Sequence, residues 1–230
     1  AFDVLAMGTA MIDGAIFQNT PAGITIGDDP VSIINSSFDA DTSQNMQTRA
    51  ILGGNTTGGN TLTIADTEFY NFDFGLDSDM PSQSTYLVRT EFYLNSDPLS
   101  STPTAIRMLS GNEIIASQSI FATWGPAANL HAYGINIDGV SDASLSYNTW
   151  ISQVTATGNV SVTNVGTNLS VFGNILYATD GSTVLNASSL GTSTVSLNAF
   201  LSPLEQSAWG GDNVSATIDF ISYGNDLPDK

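Results

Sequence analysis

The stretch Leu169-Ser-Val-Phe-Gly-Asn-Ile-Leu-Tyr177 carries the pattern on which the fold prediction rests. Val171 and Ile175 alternate with polar neighbours, which is the two-residue period of a β-strand. Phe172 and Leu176 make the second face apolar as well, as in a strand that is covered on both sides. The sequence therefore predicts one central strand over these nine residues.

Two further stretches show the same alternation. In Thr85–Leu94, the residues Tyr86, Val88 and Phe92 share one predicted face. In Asn213–Ile221, apolar side chains alternate with Ser, Thr and Asp. These patterns predict two more strands, each with one face toward a core.

Turn signals separate the strand candidates. Asp-Gly, Gly-Asn and Gly-Gly pairs supply the positive φ angles that tight hairpins need, and Glu, Lys and Arg, which favour helices, are scarce. Strand candidates recur roughly every 8–12 residues, as in sandwiches and jelly rolls, and no exact fixed-period repeat is visible. The sequence predicts an all-β fold, an antiparallel β-sandwich or jelly roll.

Charge excludes two classes of partner. The 230 residues include 22 Asp and Glu but only 4 Lys and Arg, which gives a formal net charge of −18. Nucleic acid and anionic membrane surfaces both require clustered cations, so we exclude them as partners. No apolar stretch approaches the ~18 residues of a membrane span, while 41% hydrophobic residues suffice for a core.

Compartment is inferred from the first residues and from the cysteine count. There is no cysteine, so disulfides and thiolate metal sites are impossible. Ala1 followed by an apolar strand fits the product of signal-peptide cleavage, which predicts an extracellular or cell-surface protein. Sequons for N-glycosylation are compatible with secretion and stand at Asn35, Asn55, Asn159, Asn168, Asn186 and Asn213.

A composition change near Thr155–Asn159 marks the predicted domain boundary. Beyond it, a Val-x-Val-x-Asn strand is followed by a Gly-x-Ile-Leu-Tyr-x-x-Asp-Gly hairpin and two closing strands. Residues 158–223 thus resemble the immunoglobulin-like β-sandwich modules of secreted prokaryotic surface proteins. The resemblance implies a β-sandwich of residues 1–155 followed by a smaller module of 156–230, unless the chain is one continuous domain.

Catalytic motifs are missing. His131 is the sole histidine, and no Gly-x-Ser-x-Gly elbow exists to supply a serine nucleophile. The four glutamates do not form the paired pattern of β-jelly-roll glycosidases. We therefore predict that the protein is not an enzyme.

One acidic segment is a candidate calcium site. Asp73, Asp77 and Asp79 place three carboxylates within seven residues, and Ca²⁺ prefers carboxylate and carbonyl oxygens. The alternative is that these residues only form Asx-turns between strands. The cofactor prediction is accordingly either none or Ca²⁺.

Two tryptophans are candidates for sugar binding. Trp124 and Trp209 both precede glycine in loop-like contexts. Exposed indole faces beside polar residues stack on sugars, whereas buried ones close the end of a sandwich. Both interpretations stay open.

Two functions remain after these exclusions. The first is a structural subunit of an extracellular filament, sheath or surface layer, a homopolymer formed by β-strand addition. Its candidate assembly strand is residues 1–7, with Phe2, Val4 and Leu5 filling a neighbour's pockets, unless it pairs within its own sheet. The alternative is a lectin-like protein that binds polysaccharide at the cell surface.

Overall fold

A computed structural model gives the architecture. It describes residues 2–4, 8–20, 22–40, 48–54, 58–95, 103–124, 133–152, 160–163, 165–178, 185–188, 191–200 and 212–215. These residues form strands and connecting turns, without a helix. From the first described strand to the twenty-first, each pairs in parallel with the strand three places further along the chain, and the last two described strands pair with each other through Ala199 and Val214.

The strands form three parallel sheets. Sheet A contains β1 (Phe2–Val4), β4 (Ala22–Ile26), β7 (Arg49–Gly53), β10 (Phe74–Ser78), β13 (Thr104–Met108), β16 (Tyr133–Asp138), β19 (Val160–Thr163) and β22 (Leu185–Ser188). Sheet B contains β2 (Ala10–Asp13), β5 (Val31–Ile34), β8 (Thr61–Ala65), β11 (Ser84–Val88), β14 (Gly111–Ser117), β17 (Val140–Ser146), β20 (Asn168–Phe172) and β23 (Thr192–Ser196). Sheet C contains β3 (Ile16–Phe17), β6 (Ser37–Asp39), β9 (Glu68–Tyr70), β12 (Glu91–Asn95), β15 (Ile120–Trp124), β18 (Thr149–Ser152), β21 (Ile175–Ala178), β24 (Ala199–Phe200) and β25 (Val214–Ser215).

The chain visits sheets A, B and C in turn, so the fold is a parallel β-solenoid. The predicted antiparallel β-sandwich or jelly roll is wrong, because the described strands of all three sheets pair in parallel, including those that follow residue 156. β19, for example, lies parallel between β16 and β22. A two-residue period identifies a strand and its buried face, but it does not reveal which strand lies beside it.

The predicted boundary between residues 155 and 156 lies outside the described residues. β18 precedes it and pairs with β21, which follows it, through Thr149 and Ile175. Strands from both sides of the boundary therefore belong to the same sheets.

The core contains a column of aromatic rings contributed by sheet C. Neighbouring rings are nearly parallel, with planes 5–11° apart and centroids 4.0–5.2 Å apart. Its members are Phe17, Phe38, Phe69, Phe92, Phe121 and Trp150. Stacked pairs contribute about 0.5–1.5 kcal/mol each beyond the burial of their surface, so the column favours in-register pairing of successive strands.

Two predicted strands are each broken by a corner. Leu169–Tyr177 divides into β20 and β21 at Gly173, whose φ is 67°. Thr85–Leu94 divides into β11 and β12 at Arg89, whose φ is 50°. The corner resets which face is buried, so Tyr86 lies on the outer side while Phe92 lies in the core.

Candidate functional site

The corner between sheets B and C has the same backbone geometry along much of the solenoid. One residue at each corner has a left-handed φ between 50° and 67°. These residues are Gly14, Asn35, Asp66, Arg89, Gln118, Tyr147, Gly173 and Leu197. Their side chains, where present, are exposed, and we call this row the outer ridge.

Behind the outer ridge lies a row of buried polar side chains, the inner ladder. Its members are Ser36, Thr67, Thr90, Ser119, Asn148, Asn174, Asn198 and Asn213. Each asparagine of the ladder links two levels of the solenoid. The Asn174 side chain donates to the carbonyl of Leu145 at 2.8 Å, and its Oδ1 accepts the Asn148 backbone N–H at 2.8 Å. The ladder therefore satisfies backbone groups that the corners remove from the sheets.

The outer ridge is charged in its first half. Arg89 donates two hydrogen bonds to Asp66, from Nε at 2.6 Å and from Nη2 at 2.7 Å. The hydrogen bond from Arg89 lowers the pKa of the Asp66 carboxyl, and the same bond raises the pKa of Arg89. Both side chains are about half exposed, so this ion pair contributes little to stability.

A shallow depression of about 430 Å³ lies beside this ion pair. Arg89 and Gln118 line it from the outer ridge, while Glu68, Glu91 and Ile120 line it from sheet C. Glu68 and Glu91 are direct neighbours on adjacent strands. The depression thus combines carboxylates, a guanidinium, an amide and one apolar side chain, which suits a polar ligand with several hydrogen-bonding groups.

Two tyrosines support the carboxylates of the depression. The Tyr70 hydroxyl donates to Glu68 at 2.8 Å, and the Tyr93 hydroxyl donates to Glu91 at 2.7 Å. The two rings stack with centroids 5.4 Å apart. Burial and the bond to Glu68 raise the pKa of Tyr70 far above its usual value, so the hydroxyl stays a donor at all ordinary pH values.

The outer ridge is apolar in its second half. Tyr147 is 60% exposed and Leu197 is 55% exposed. The Tyr147 ring lies over Gly173, where an added Cβ would come within 2.9 Å of ring carbons Cδ1 and Cε1. The rings of Tyr147 and Phe172 are nearly perpendicular, with centroids 5.4 Å apart and planes at 85°. Because Gly173 has no side chain, the Tyr147 ring can lie in this position on the surface.

The acidic segment predicted for calcium spans β10, with Asp73 just before the strand, Asp77 on it and Asp79 just after it. Asp77 accepts hydrogen bonds from Arg49 at 2.6 Å and from Arg107 at 2.7 Å, and Asp73 accepts the Thr48 backbone N–H at 2.7 Å. Burial acts to raise the pKa of Asp77, but the bonds from the two arginines outweigh it, so that the pKa is lowered.

Asp79 is exposed and accepts a hydrogen bond from Ser110 at 2.8 Å. Within the described part of the chain, no three acidic or histidine side chains are grouped as a metal site requires. The calcium site itself stays a prediction.

Most residues of the tryptophan and assembly predictions are not described by the structure, or are described without their side chains. Trp124 ends β15, but its side chain is not described, and Trp209 lies outside the described residues. Phe2 and Val4 belong to β1, which pairs with β4 of the same chain through Ile24 and Ile26. Leu5 and His131 also lie outside the described residues.

The sequons occupy different environments. Asn35 and Asn168 are exposed, with side chains that donate to Asp13 and Asp142. Asn213 is buried in the inner ladder, so glycosylation there would have to precede folding. Asn186 lies on β22 with no described side chain, and Asn55 and Asn159 are outside the described residues.

Sequence reasoning missed both the inner ladder and the outer ridge. The available signal was a recurring pair, in which an exposed residue precedes a buried Ser, Thr or Asn. Examples are Gln118-Ser119, Tyr147-Asn148 and Leu197-Asn198. The pairs were hidden because consecutive ladder residues are separated by between 15 and 31 positions.

Comparisons with known proteins add no relative. No protein-family model matches the chain, and no curated protein or solved structure matches it. Among the described residues, there is no helix with the length and hydropathy to cross a membrane.

Proposed function

We propose that the protein is a structural subunit of an extracellular filament, sheath or surface layer. In this proposal subunits join through β-strand contacts along the solenoid axis, and the role is structural rather than catalytic. The observation that carries it is the in-register parallel pairing of all three sheets, which presents the same hydrogen-bonding pattern at every level. A second copy can continue such a pattern by strand addition.

Two outer strands of sheet B provide the contact to test. β2 pairs with β5, and β23 pairs with β20, while the described residues place no strand on their other edges. The backbone N–H of Ala10 bonds to Pro30 at 2.9 Å. Because successive N–H groups point to opposite edges of a strand, the N–H of Met11 points away from β5. Met11 is also 64% exposed and lies on the outer face of β2, so its replacement leaves the core unchanged.

Proline tests this edge without breaking a bond inside the subunit. Met11→Pro removes an N–H that faces outward, and proline is tolerated on edge strands. Ser193→Pro also removes an outward-facing N–H, on β23. The preceding N–H, that of Thr192, bonds to the Thr167 carbonyl inside the subunit at 2.8 Å, so the N–H of Ser193 points to the free edge. Met11→Thr is the control, since threonine keeps the N–H and favours strands.

The measurement is polymer formation by sedimentation and electron microscopy. We expect the parent protein and Met11→Thr to polymerise and both proline variants to remain monomeric and folded. Polymers from the proline variants would contradict contact through these edges. A parent protein that never polymerises, in any salt or divalent-ion condition, would contradict the structural role.

A further inference from the structure

The exposed ring of Tyr147 is the starting observation. The ring lies over Gly173 and nearly perpendicular to the ring of Phe172, and 60% of the residue is exposed. An aromatic ring fixed flat on a surface provides a platform for the C–H face of a sugar ring.

The backbone at Tyr147 determines which substitution can test the ring. Its φ of 57° is left-handed, a conformation in which Gly, Asn and Asp are comfortable and bulky residues are rare. Asn35, Asp66 and Gly173 follow that preference on the outer ridge, whereas Arg89, Gln118, Tyr147 and Leu197 do not. Asparagine can therefore replace Tyr147 without strain in the backbone, so that the ring can be removed alone.

Polar groups continue from the ring along the outer ridge. Gln118 precedes Tyr147 by one level, since its backbone N–H bonds to Ser146 at 3.2 Å. Arg89 lies one level further, since its N–H bonds to Ser117 at 3.2 Å. With strands about 4.8 Å apart, the ring and the depression beside Arg89 are about 10 Å apart. An elongated ligand can therefore contact both.

The chemistry of this surface favours one ligand class. Hydroxyl groups both donate and accept, and the surface offers acceptors at Glu91, donors at Arg89 and both at Gln118. A metal ion would use only the acceptors, and an apolar partner would leave these groups unpaired. A chain of sugar rings matches both the aromatic platform and the mixed polar groups.

We propose that the outer ridge from Arg89 to Tyr147 binds a saccharide chain. Tyr147 stacks on one sugar ring, while Gln118, Arg89 and Glu91 bond the hydroxyl groups of the next ring in the depression. This site is separate from the strand edges of the structural proposal, and it uses neither Trp124 nor Trp209.

Affinity electrophoresis in native gels that contain laminarin, soluble xylan, dextran or galactomannan tests the site. We expect at least one of these polysaccharides to retard the parent protein. Tyr147→Asn should weaken that binding by about tenfold, because it removes the ring while asparagine accepts the left-handed backbone. Tyr147→Phe keeps the ring and should bind within about threefold of the parent, since stacking does not need the hydroxyl.

Leu197→Asn is the matched control, because Leu197 is equally exposed on the outer ridge with a φ of 56°. It should leave binding unchanged, and urea denaturation should show that all variants fold. Absence of retardation by all four polysaccharides would overturn the proposal, as would equal binding by Tyr147→Asn and the parent. Binding that Tyr147→Asn retains but Glu91→Gln loses would indicate a cationic partner and would also overturn it.

Discussion

Asn174 Oδ1 accepts two hydrogen bonds from the same neighbour, the backbone N–H of Asn148 at 2.8 Å and its Nδ2 at 3.1 Å. Asn198 Oδ1 repeats the arrangement with Asn174, at 2.9 Å for both bonds. Each buried side-chain amide thus holds the backbone and side chain of the asparagine one level earlier. The corners are therefore linked by hydrogen bonds along the solenoid axis.

Removal of one amide from the inner ladder should therefore be costly. We expect Asn174→Ala to lower the free energy of unfolding by about 2–3 kcal/mol, because it leaves several buried donors and acceptors unpaired. Asn174→Thr should cost less, since Thr67 and Thr90 occupy the same place at other corners. Urea denaturation measures both.

Asn168→Ala is the control for the ladder, because the Asn168 side chain is exposed and its described hydrogen bond is with the Asp142 side chain. It should change stability by less than about 0.5 kcal/mol. Equal losses in Asn174→Ala and Asn168→Ala would contradict a structural role for the inner ladder.

Two glycines test the packing of sheet A against the aromatic column. A Cβ at Gly75 would lie 2.5 Å from Phe92 Cε1 and 2.6 Å from the Ala105 carbonyl oxygen. Gly75→Ala should destabilise the fold by about 1–3 kcal/mol through overpacking. A Cβ at Gly27 would meet nothing within 4 Å, so Gly27→Ala should be neutral or slightly stabilising.

Thermal melting monitored by circular dichroism compares the two glycine variants. A Gly75→Ala protein as stable as Gly27→Ala would show that the backbone at β10 is not in close contact with the column.

The ion pairs of Asp77 predict a dependence of stability on pH. Asp77 is nearly buried, and Arg107 also lies 4.3 Å from the ring centroid of Phe74. Because the pKa of Asp77 is lowered in the folded chain, its contribution is present above the unfolded value of about 3.9. That contribution is lost as the pH falls through the lower folded value.

Asp77→Asn should cost about 1–3 kcal/mol at pH 7, because it leaves two neighbouring arginines without their shared carboxylate. The difference in the free energy of unfolding between Asp77→Asn and the parent protein should become smaller below about pH 4. Asp66→Asn removes an exposed ion pair and should have little effect at either pH. A difference between parent and Asp77→Asn that is constant from pH 7 to pH 3 would contradict this role.

The calcium prediction for Asp73, Asp77 and Asp79 is checked by chelation. A site at these carboxylates would cause EGTA to lower the melting temperature of the protein, and added Ca²⁺ would restore it. A melting temperature that EGTA leaves unchanged at neutral pH would contradict the site.

The sequence predicts local structure better than it predicts the pairing of strands. Alternation correctly identifies Val171 as buried, because a strand with one covered face alternates apolar and polar residues. The corner at Arg89 cannot be predicted from its residue type, since arginine is common in strands and rare in the left-handed region. A strand assigned across the corner therefore placed Tyr86 and Phe92 on one face.

Parallel pairing and the candidate site depend on contacts between distant residues. Tyr147 gains its place on the surface from Gly173, and the inner ladder joins residues separated by 15 to 31 positions. The intervals between ladder residues vary because the turns between sheets differ in length. The sequence therefore has no fixed period from which the repeating levels could be detected.

A continuous axis of parallel strands is the claim on which both proposals rest. Ser32, Ser144, Ser170 and Thr194 lie in one outward row of sheet B. The chain has no cysteine, so pairs of introduced cysteines can carry spin labels without further changes.

Pulsed electron paramagnetic resonance measures the distance from a label at Ser32 to labels at Ser144, Ser170 and Thr194. At about 4.8 Å per strand, the solenoid predicts mean distances of about 19, 24 and 29 Å, which increase by one strand spacing at each step. Distances that fail to increase in this order would contradict the parallel solenoid.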